Sequence, residues 1–171
     1  MLAPTRELAL QITNELQKLK HSVEEFRIVT VYGGVSVINQ ANALKSGADI
    51  FVGTTGRVLD HIERGNIDFA EVKSLVLDEA DVMLKMGFKE DIEKILEKCN
   101  EECSSLQMLL FSATIPDWVK DIAQEHMKQD FQVVDLAQDL TRRTARSIAH
   151  LAIDCPFPER LEALSKVRKY S

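Results

Sequence analysis

A shortage of cysteine, of basic charge and of long apolar runs bounds this 171-residue chain. Its three cysteines, Cys99, Cys103 and Cys155, supply no disulfide framework and suit a reducing compartment. Cys99 and Cys103 stand four apart near an expected helix end. No second pair of ligands accompanies them, so they read as structural thiols rather than half of a metal site. No apolar run approaches membrane-spanning length. The start, Met1-Leu2-Ala3-Pro4-Thr5-Arg6, lacks the basic-then-apolar order of a signal peptide. An intracellular protein with no membrane partner is expected. The formal charge of −6 argues against a broad basic surface that binds nucleic acid by charge alone. It leaves room for a local phosphate site built from backbone amides and a few arginines. Repeats and low-complexity tracts are missing too. The length and a 45% hydrophobic content suffice for one domain with a real core.

What is present alternates between two periods. β-Branched or apolar runs predict strands at Met1–Pro4, Arg27–Tyr32, Asp49–Val52, Ser74–Leu77, Gln107–Phe111 and Gln132–Leu136. Helical spacing predicts helices at Arg6–Lys20, Val37–Lys45, Arg57–Arg64, Phe88–Cys99 and Pro116–Met127. Leu8, Ile12, Leu16 and Leu19 mark the inner face of the first. Ile92, Ile95 and Leu96 do so for the fourth, and Trp118, Val119, Ile122 and Ala123 for the last. Gly53-Thr54-Thr55-Gly56-Arg57 reads as a loop. Strands alternating with helices predict a parallel sheet of βα units. Ala137–Arg146 reads as a polar linker, Ser147–Ile153 as a further strand-like run, and Phe157–Arg168 as a helix.

The chain is organised around Ser74-Leu75-Val76-Leu77-Asp78-Glu79-Ala80-Asp81. An apolar strand ends there in three carboxylates within four residues. Ligands of open α/β sheets sit outside the carboxyl ends of the strands. Asp78 and Glu79 therefore stand where a phosphate and its metal would lie, and a hard cation such as Mg²⁺ takes carboxylate oxygens. A second carboxylate could polarise a water. The plainer alternative is a helix N-terminus, where acids are favoured by the dipole. Other strand ends carry Thr5-Arg6, Gly33-Gly34, Thr54-Gly56-Arg57 and Ser112-Ala113-Thr114, all on one edge of a parallel sheet. Helix N-termini with an arginine and a threonine suit phosphodiester oxygens. Several on one edge favour a polyanionic backbone. Ser112 and Thr114 are placed to hydrogen-bond a neighbouring carboxylate such as Asp81.

Pro4-Thr5-Arg6-Glu7-Leu8-Ala9, Gly33-Gly34, Thr54-Thr55-Gly56-Arg57, Asp78-Glu79-Ala80-Asp81 and Ser112-Ala113-Thr114 stand in the order and rough spacing of the DEAD-box RNA helicases. The chain resembles that family over almost its whole length. Val31-Tyr32-Gly33-Gly34, Met86-Gly87-Phe88, Trp118-Val119 and His150-Leu151-Ala152-Ile153 look most like its nucleolar Gu-type members. The resemblance implies a three-layer αβα fold of RecA-like (P-loop NTPase) type and a nuclear or nucleolar location. It implies that Asp78 holds Mg²⁺ through water on the phosphates of ATP, and that Glu79 orients or activates the attacking water. Asp81, Ser112 and Thr114 would couple hydrolysis to domain movement. Pro4, Thr5, Arg6, Gly33, Gly34, Thr54, Gly56 and Arg57 would grip the sugar-phosphate backbone of RNA without reading its sequence.

Two departures qualify these expectations. Thr55 stands where the family usually has proline; proline would stiffen the turn by fixing φ, and threonine loosens it. And no Gly-x-x-x-x-Gly-Lys-Ser/Thr segment occurs. The family places one upstream of the position of Pro4. The resemblance therefore implies an N-terminally truncated piece: residues 1–136 as a partial first RecA-like domain, 137–146 as linker, and 147–171 as the start of a second. Such a piece is expected to bind ATP and Mg²⁺ weakly or not at all and not to unwind RNA. The absent segment also carries a strand that lies inside the sheet near those ending at Asp78 and Ser112. A gap is expected there, filled by Ser147–Ile153 of the same chain or, in a strand-swapped homodimer, of a second copy.

Overall fold

The computed structural model describes residues 1–20, 26–103, 105–135 and 152–167. The chain divides into two units, Met1–Phe131 and Gln132–Ser171. The first is a parallel sheet of β1 (Leu2–Ala3), β2 (Ile28–Val31), β3 (Ile50–Thr54), β4 (Ser74–Leu77) and β5 (Gln107–Leu110). They lie in the order β2-β3-β1-β4-β5, and every pairing is parallel. The intervening helices are α1 (Arg6–Lys20), α2 (Val37–Lys45), α3 (Thr55–Glu63), α4 (Ala80–Lys85), α5 (Lys89–Glu102) and α6 (Asp117–His126).

Period-two alternation divides the sheet between two cores. Ala3 and Val52 face Ala9, Ile12 and Leu16 of α1. Leu2, Val29, Val31, Leu75 and Leu77 face the larger core with Val58, Ile92, Ile95, Leu96 and Ile122. Helices thus cover both faces, which gives the three-layer αβα arrangement expected. The Thr13 hydroxyl, inside the smaller layer, bonds both the Ala9 carbonyl (2.9 Å) and the Thr30 hydroxyl (2.8 Å). Cys99 is buried in the larger core, and burial pushes its thiol up to about 12. Cys103 closes α5 with its thiol donating to the Phe69 carbonyl, so both behave as structural thiols.

Three expectations change. Gly53 and Thr54 are strand, not loop, because the ladder with β1 runs on to them (Leu2↔Gly53, Ala3↔Thr54); α3 then starts at once at Thr55. No gap separates the strands ending at Asp78 and Ser112. They pair directly from Ser74↔Gln107 to Leu77↔Leu110, and β5 is an edge strand. Gln132–Asp135 is coil; Val133 and Val134 are 67% and 77% exposed. A β-branched run becomes a strand only where a sheet accepts its backbone and buries a face. In the second unit, Phe157–Glu159 is a 3₁₀ turn leading into α7 (Arg160–Val167). Ala152 and Ile153 are coil. The linker Ala137–Arg146, the rest of the Ser147–Ile153 run, Leu136 and Arg168 lie outside the described residues.

Candidate functional site

The sheet order lays the predicted residues along its carboxyl edge. Gly33-Gly34, Thr54–Arg57, Thr5-Arg6, Asp78–Asp81 and Ser112–Thr114 follow one another from β2 to β5. The structure therefore groups three small, polar turns on one side and the acidic and hydroxyl turns on the other. A cleft of about 660 Å³ lies at the opposite ends of the strands, by Phe26, Arg27, Gly47 and Asp49. It contains none of the predicted site residues.

At the acidic turn the Asp78 amide still donates to the Leu2 carbonyl, 3.0 Å, so Asp78 continues the line of β4. Its Oδ1 accepts the Glu79 amide at 3.0 Å. Glu79 has φ +50° and ψ +49°, the left-handed region, and is the one non-glycine residue there among the described residues. For a residue with a Cβ this conformation costs roughly 1–2 kcal/mol. It ends the strand abruptly and starts α4 at Ala80, leaving the Glu79 side chain exposed. Such stored strain gathers at functional sites.

Asp81, in the first turn of α4, is 4% exposed. Its Oδ1 accepts the Ser112 hydroxyl at 3.0 Å and its Oδ2 accepts the Thr114 hydroxyl at 2.7 Å. Its amide donates to Ser112 Oγ at 3.3 Å, and Lys85 Nζ stands 3.7 Å away. Burial pushes the carboxyl up. The hydroxyls of Thr114 and Ser112 and the charge of Lys85 outweigh it, and the group rests below its ordinary value. Ser112 Oγ also reaches the Thr114 carbonyl; one hydroxyl proton serves one acceptor at a time. The Ala80 amide donates to Phe111 O at 3.1 Å, a second tie between the two strand ends.

On the other side, Thr5 Oγ1 accepts the Leu8 amide at 3.2 Å and caps α1. Pro4 is buried, and Arg6 is exposed with its guanidinium over the Tyr32 ring, 4.8 Å from the centroid. Gly33 and Gly34 are exposed, and Gly34 takes φ +82°, which favours glycine. Thr54 and exposed Gly56 flank the start of α3. Thr55 is its first residue, fully buried, with its hydroxyl on Met83 Sδ at 3.4 Å.

Arg57 behaves differently from Arg6. Its side chain is only 14% exposed. One Nη donates to Val35 O at 3.1 Å and to Gln40 Oε1 at 2.9 Å. Gln40 Oε1 also meets His61 Nε2 at 3.2 Å, and Gln40 Nε2 donates to Tyr32 O at 3.1 Å. Asn66 Nδ2 meets His61 Nδ1 at 3.2 Å. Burial first, then the charge of Arg57, lowers the His61 pKa, so the ring is neutral, with Nε2 the donor. Sequence reasoning missed Gln40 and His61. A signal was available: Gln40 lies on the inward stripe of α2 with Val37 and Leu44, and His61 follows Val58 by one turn. A polar residue on an apolar stripe needs a partner.

Among the described residues no three His, Cys, Asp or Glu side chains form a metal cage. Asp78 and Glu79 offer two hard oxygen donors at an open strand end. That fits a Mg²⁺ that keeps most of its water and phosphate ligands, rather than an all-protein site.

Residues 1–122 match the family model of the DEAD/DEAH box helicases. The chain belongs to this family. It is 38% identical over 169 residues to mouse "ATP-dependent RNA helicase DDX50", covering 98% of the chain and 23% of that protein. It is 46% identical over 155 residues to "DEAD-box ATP-dependent RNA helicase 7" of Arabidopsis thaliana (91% and 23%). With rat "Nucleolar RNA helicase 2" it shares 40% over 176 residues (100% and 22%). The chain thus spans less than a quarter of these relatives' length. Among solved structures, a DEAD box protein from the hyperthermophile Methanococcus jannaschii superposes with TM-score 0.73 at 40% identity. It covers 97% of this chain and 42% of its own. Among the described residues no helix is long and apolar enough to cross a membrane.

Proposed function

We propose that this chain is the RNA-gripping and acid-bearing part of an ATP-dependent RNA helicase that couples hydrolysis to local duplex unwinding. The observation that carries the proposal is the Asp81 link, a buried carboxylate holding the Ser112 and Thr114 hydroxyls at 3.0 and 2.7 Å. It fastens the acidic turn to the neighbouring strand end, as coupling between a hydrolytic site and a moving element requires. In this reading ATP with Mg²⁺ supplies the phosphoryl group, and Asp78 would hold the cation through water. Exposed Glu79 would orient the attacking water and draw on its proton. Asp81, Ser112 and Thr114 transmit the change to a second domain. The turns at Pro4-Thr5-Arg6, Gly33-Gly34 and Thr54-Gly56-Arg57 grip the backbone of one RNA strand, which carries no sequence information.

For this chain by itself a second reading, a non-catalytic domain that binds RNA or a protein partner without turnover, has support of its own: it holds no Gly-x-x-x-x-Gly-Lys-Ser/Thr segment. Two measurements on the chain test both readings. A labelled single-stranded RNA should bind in a salt-dependent way with little sequence preference; no binding at low salt would remove the RNA role. Titration calorimetry with ATP·Mg²⁺ should give weak or no heat, and micromolar binding would overturn the second reading.

Three finer statements belong to the same proposal. Residues 1–136 are part of a first RecA-like domain, 137–146 a linker, and 147–171 the start of a second. Proteolysis should then cut within the linker before either flank. The edge of β5 accepts a strand from a second copy; light scattering showing a monomer at all concentrations would refute this. The names of the relatives support a nucleolar site for the parent protein, checked by imaging it in cells.

A further inference from the structure

We propose that the Arg57 side chain is a positioning residue that braces the Gly33-Gly34 turn, and does not itself contact RNA phosphate. This rests on the RNA-binding reading above and assigns the division of labour within it. Arg57 and Arg6 are the two arginines of the three turns, and their surroundings differ. Arg6 is exposed, with its guanidinium carbon 4.8 Å from the centroid of the Tyr32 ring. Arg57 is mostly buried, and one of its Nη atoms is already committed inside the protein. One Nη serves Val35 O and Gln40 Oε1, and Nε stands 3.7 Å from Asp60 Oδ2. A guanidinium tied through this Nη and only 14% exposed is committed to the fold, whereas that of Arg6 stands at the surface.

What the bonds hold is specific. Val35 follows the glycine pair and Tyr32 precedes it. Arg57 takes the carbonyl of Val35, and Gln40 Nε2 takes that of Tyr32. The two side chains are joined to each other at 2.9 Å. Gln40 Oε1 accepts from Arg57 and from His61 Nε2, so both of its lone pairs are engaged. The amide cannot be turned round without placing its NH₂ against a cation. Both flanks of a glycine turn with no ladder of its own are thus clamped from α2 and α3. The clamp sets where the amides of Gly33 and Gly34 point.

Salt dependence separates a brace from a direct phosphate ligand. Each phosphate that a protein no longer neutralises lowers the slope of log K against log salt by about 0.7 for single-stranded nucleic acid. Anisotropy of a labelled oligo-uridine RNA, read from 50 to 200 mM KCl, is expected to show this shallower slope in Arg6→Ala. Arg57→Ala and Gln40→Ala are each expected to weaken binding roughly tenfold with the wild-type slope. The double variant should be little worse than either single one. Arg57→Lys keeps the charge but not the planar fork, so it should resemble Arg57→Ala. It also serves as the test should Arg57→Ala fail to fold. A slope reduced in Arg57→Ala as in Arg6→Ala, with Arg57→Lys restoring it, would overturn the brace. If wild type binds no RNA, the RNA reading fails by itself. Hydrogen exchange then decides the brace: Gly33, Gly34 and Val35 amides should exchange faster in Arg57→Ala than in Arg6→Ala, and equal rates would refute it.

Discussion

Two polar hubs occupy the same edge of one sheet and are built on opposite plans. Asp81 is a buried anion that joins the end of β4 to the turn after β5 through two hydroxyls. Gln40 is a buried neutral amide that joins the turn after β2 to α3 through a cation and an imidazole. Hydroxyls rotate freely, and that of Ser112 has a second acceptor in the Thr114 carbonyl, so the links at Asp81 can be remade. At Gln40 the oxygen is doubly engaged and the nitrogen is anchored on a main-chain carbonyl, so the links hold. A charged acceptor with swivelling donors suits a connection that must change during a cycle. A saturated amide suits one that must stay.

The largest expected effect comes from Asp81→Ala, which removes a buried anion and both of its hydroxyl bonds, to half-buried Ser112 and exposed Thr114. A decrease of about 3 kcal/mol in unfolding free energy is expected, read as a lower urea midpoint. Asp81→Asn keeps the shape and one acceptor and should be milder. Equal decreases would show that shape rather than charge makes this hub, and would erase the contrast.

Gly53→Ala attacks the floor of the other hub. A Cβ there would collide with Val58 Cγ2 and lie 2.6 Å from Val31 Cγ2, both stiff β-branched side chains. Overpacking of about 2 kcal/mol is expected, with faster hydrogen exchange at Gly33-Gly34 and no change at Ser112.

pH should separate the hubs next. The folded pKa of His61 is lowered from 6.5, first by burial and then by Arg57. Below about 6.5 the unfolded chain takes a proton that native His61 refuses. Stability therefore falls as pH drops through this range and levels off once the folded ring is protonated. His61→Gln should flatten that slope in thermal melts. Asp81 titrates in a lower window. Its folded pKa is lowered from 3.8, so its contribution is present above that value and is lost as pH falls through the folded one. Acidification should loosen the Gln40 side first; a titration in which both sides loosen together would contradict this.

The smallest effect is expected from Thr55→Pro. Thr55 is the first residue of α3, where proline is well tolerated. The substitution removes only the weak hydrogen bond from the hydroxyl to Met83 Sδ, so a change within about 0.5 kcal/mol is expected in the same urea titration.

Most of the fold was legible in the sequence because its signals are periodic and local. The apolar stripes of α1, α5 and α6 and the runs of β2 and β4 carry their own spacing. The edge on which Thr5, Gly33, Thr54, Asp78 and Ser112 gather follows from parallel strands alone. What depended on a distant partner was not legible. Gly53-Thr54 reads as loop until β1 is beside it. Gln132–Asp135 has a strand's composition without its setting. Gln40 and His61 acquire their meaning only when α2 and α3 meet. Nothing in Asp78-Glu79-Ala80 announces a left-handed Glu79, since the Cβ penalty falls on glutamate as on most residues.

The shortest strand has the widest reach. β1 is two residues long, yet it is the middle of the sheet, with Gly53 bonded to the Met1 carbonyl and Asp78 to the Leu2 carbonyl. Leu2 pairs with Leu77 although two strands and three helices lie between them in the chain. Such distant pairing is entropically slow to form. Refolding should therefore proceed by assembling two half-sheets, β2-β3 and β4-β5, that wait for a common seam. In pulse-labelling, the amides of Gly53 and Asp78 should become protected after those of Val29 and Leu75. The two polar hubs belong one to each half-sheet, and they come into register with each other only when that seam closes.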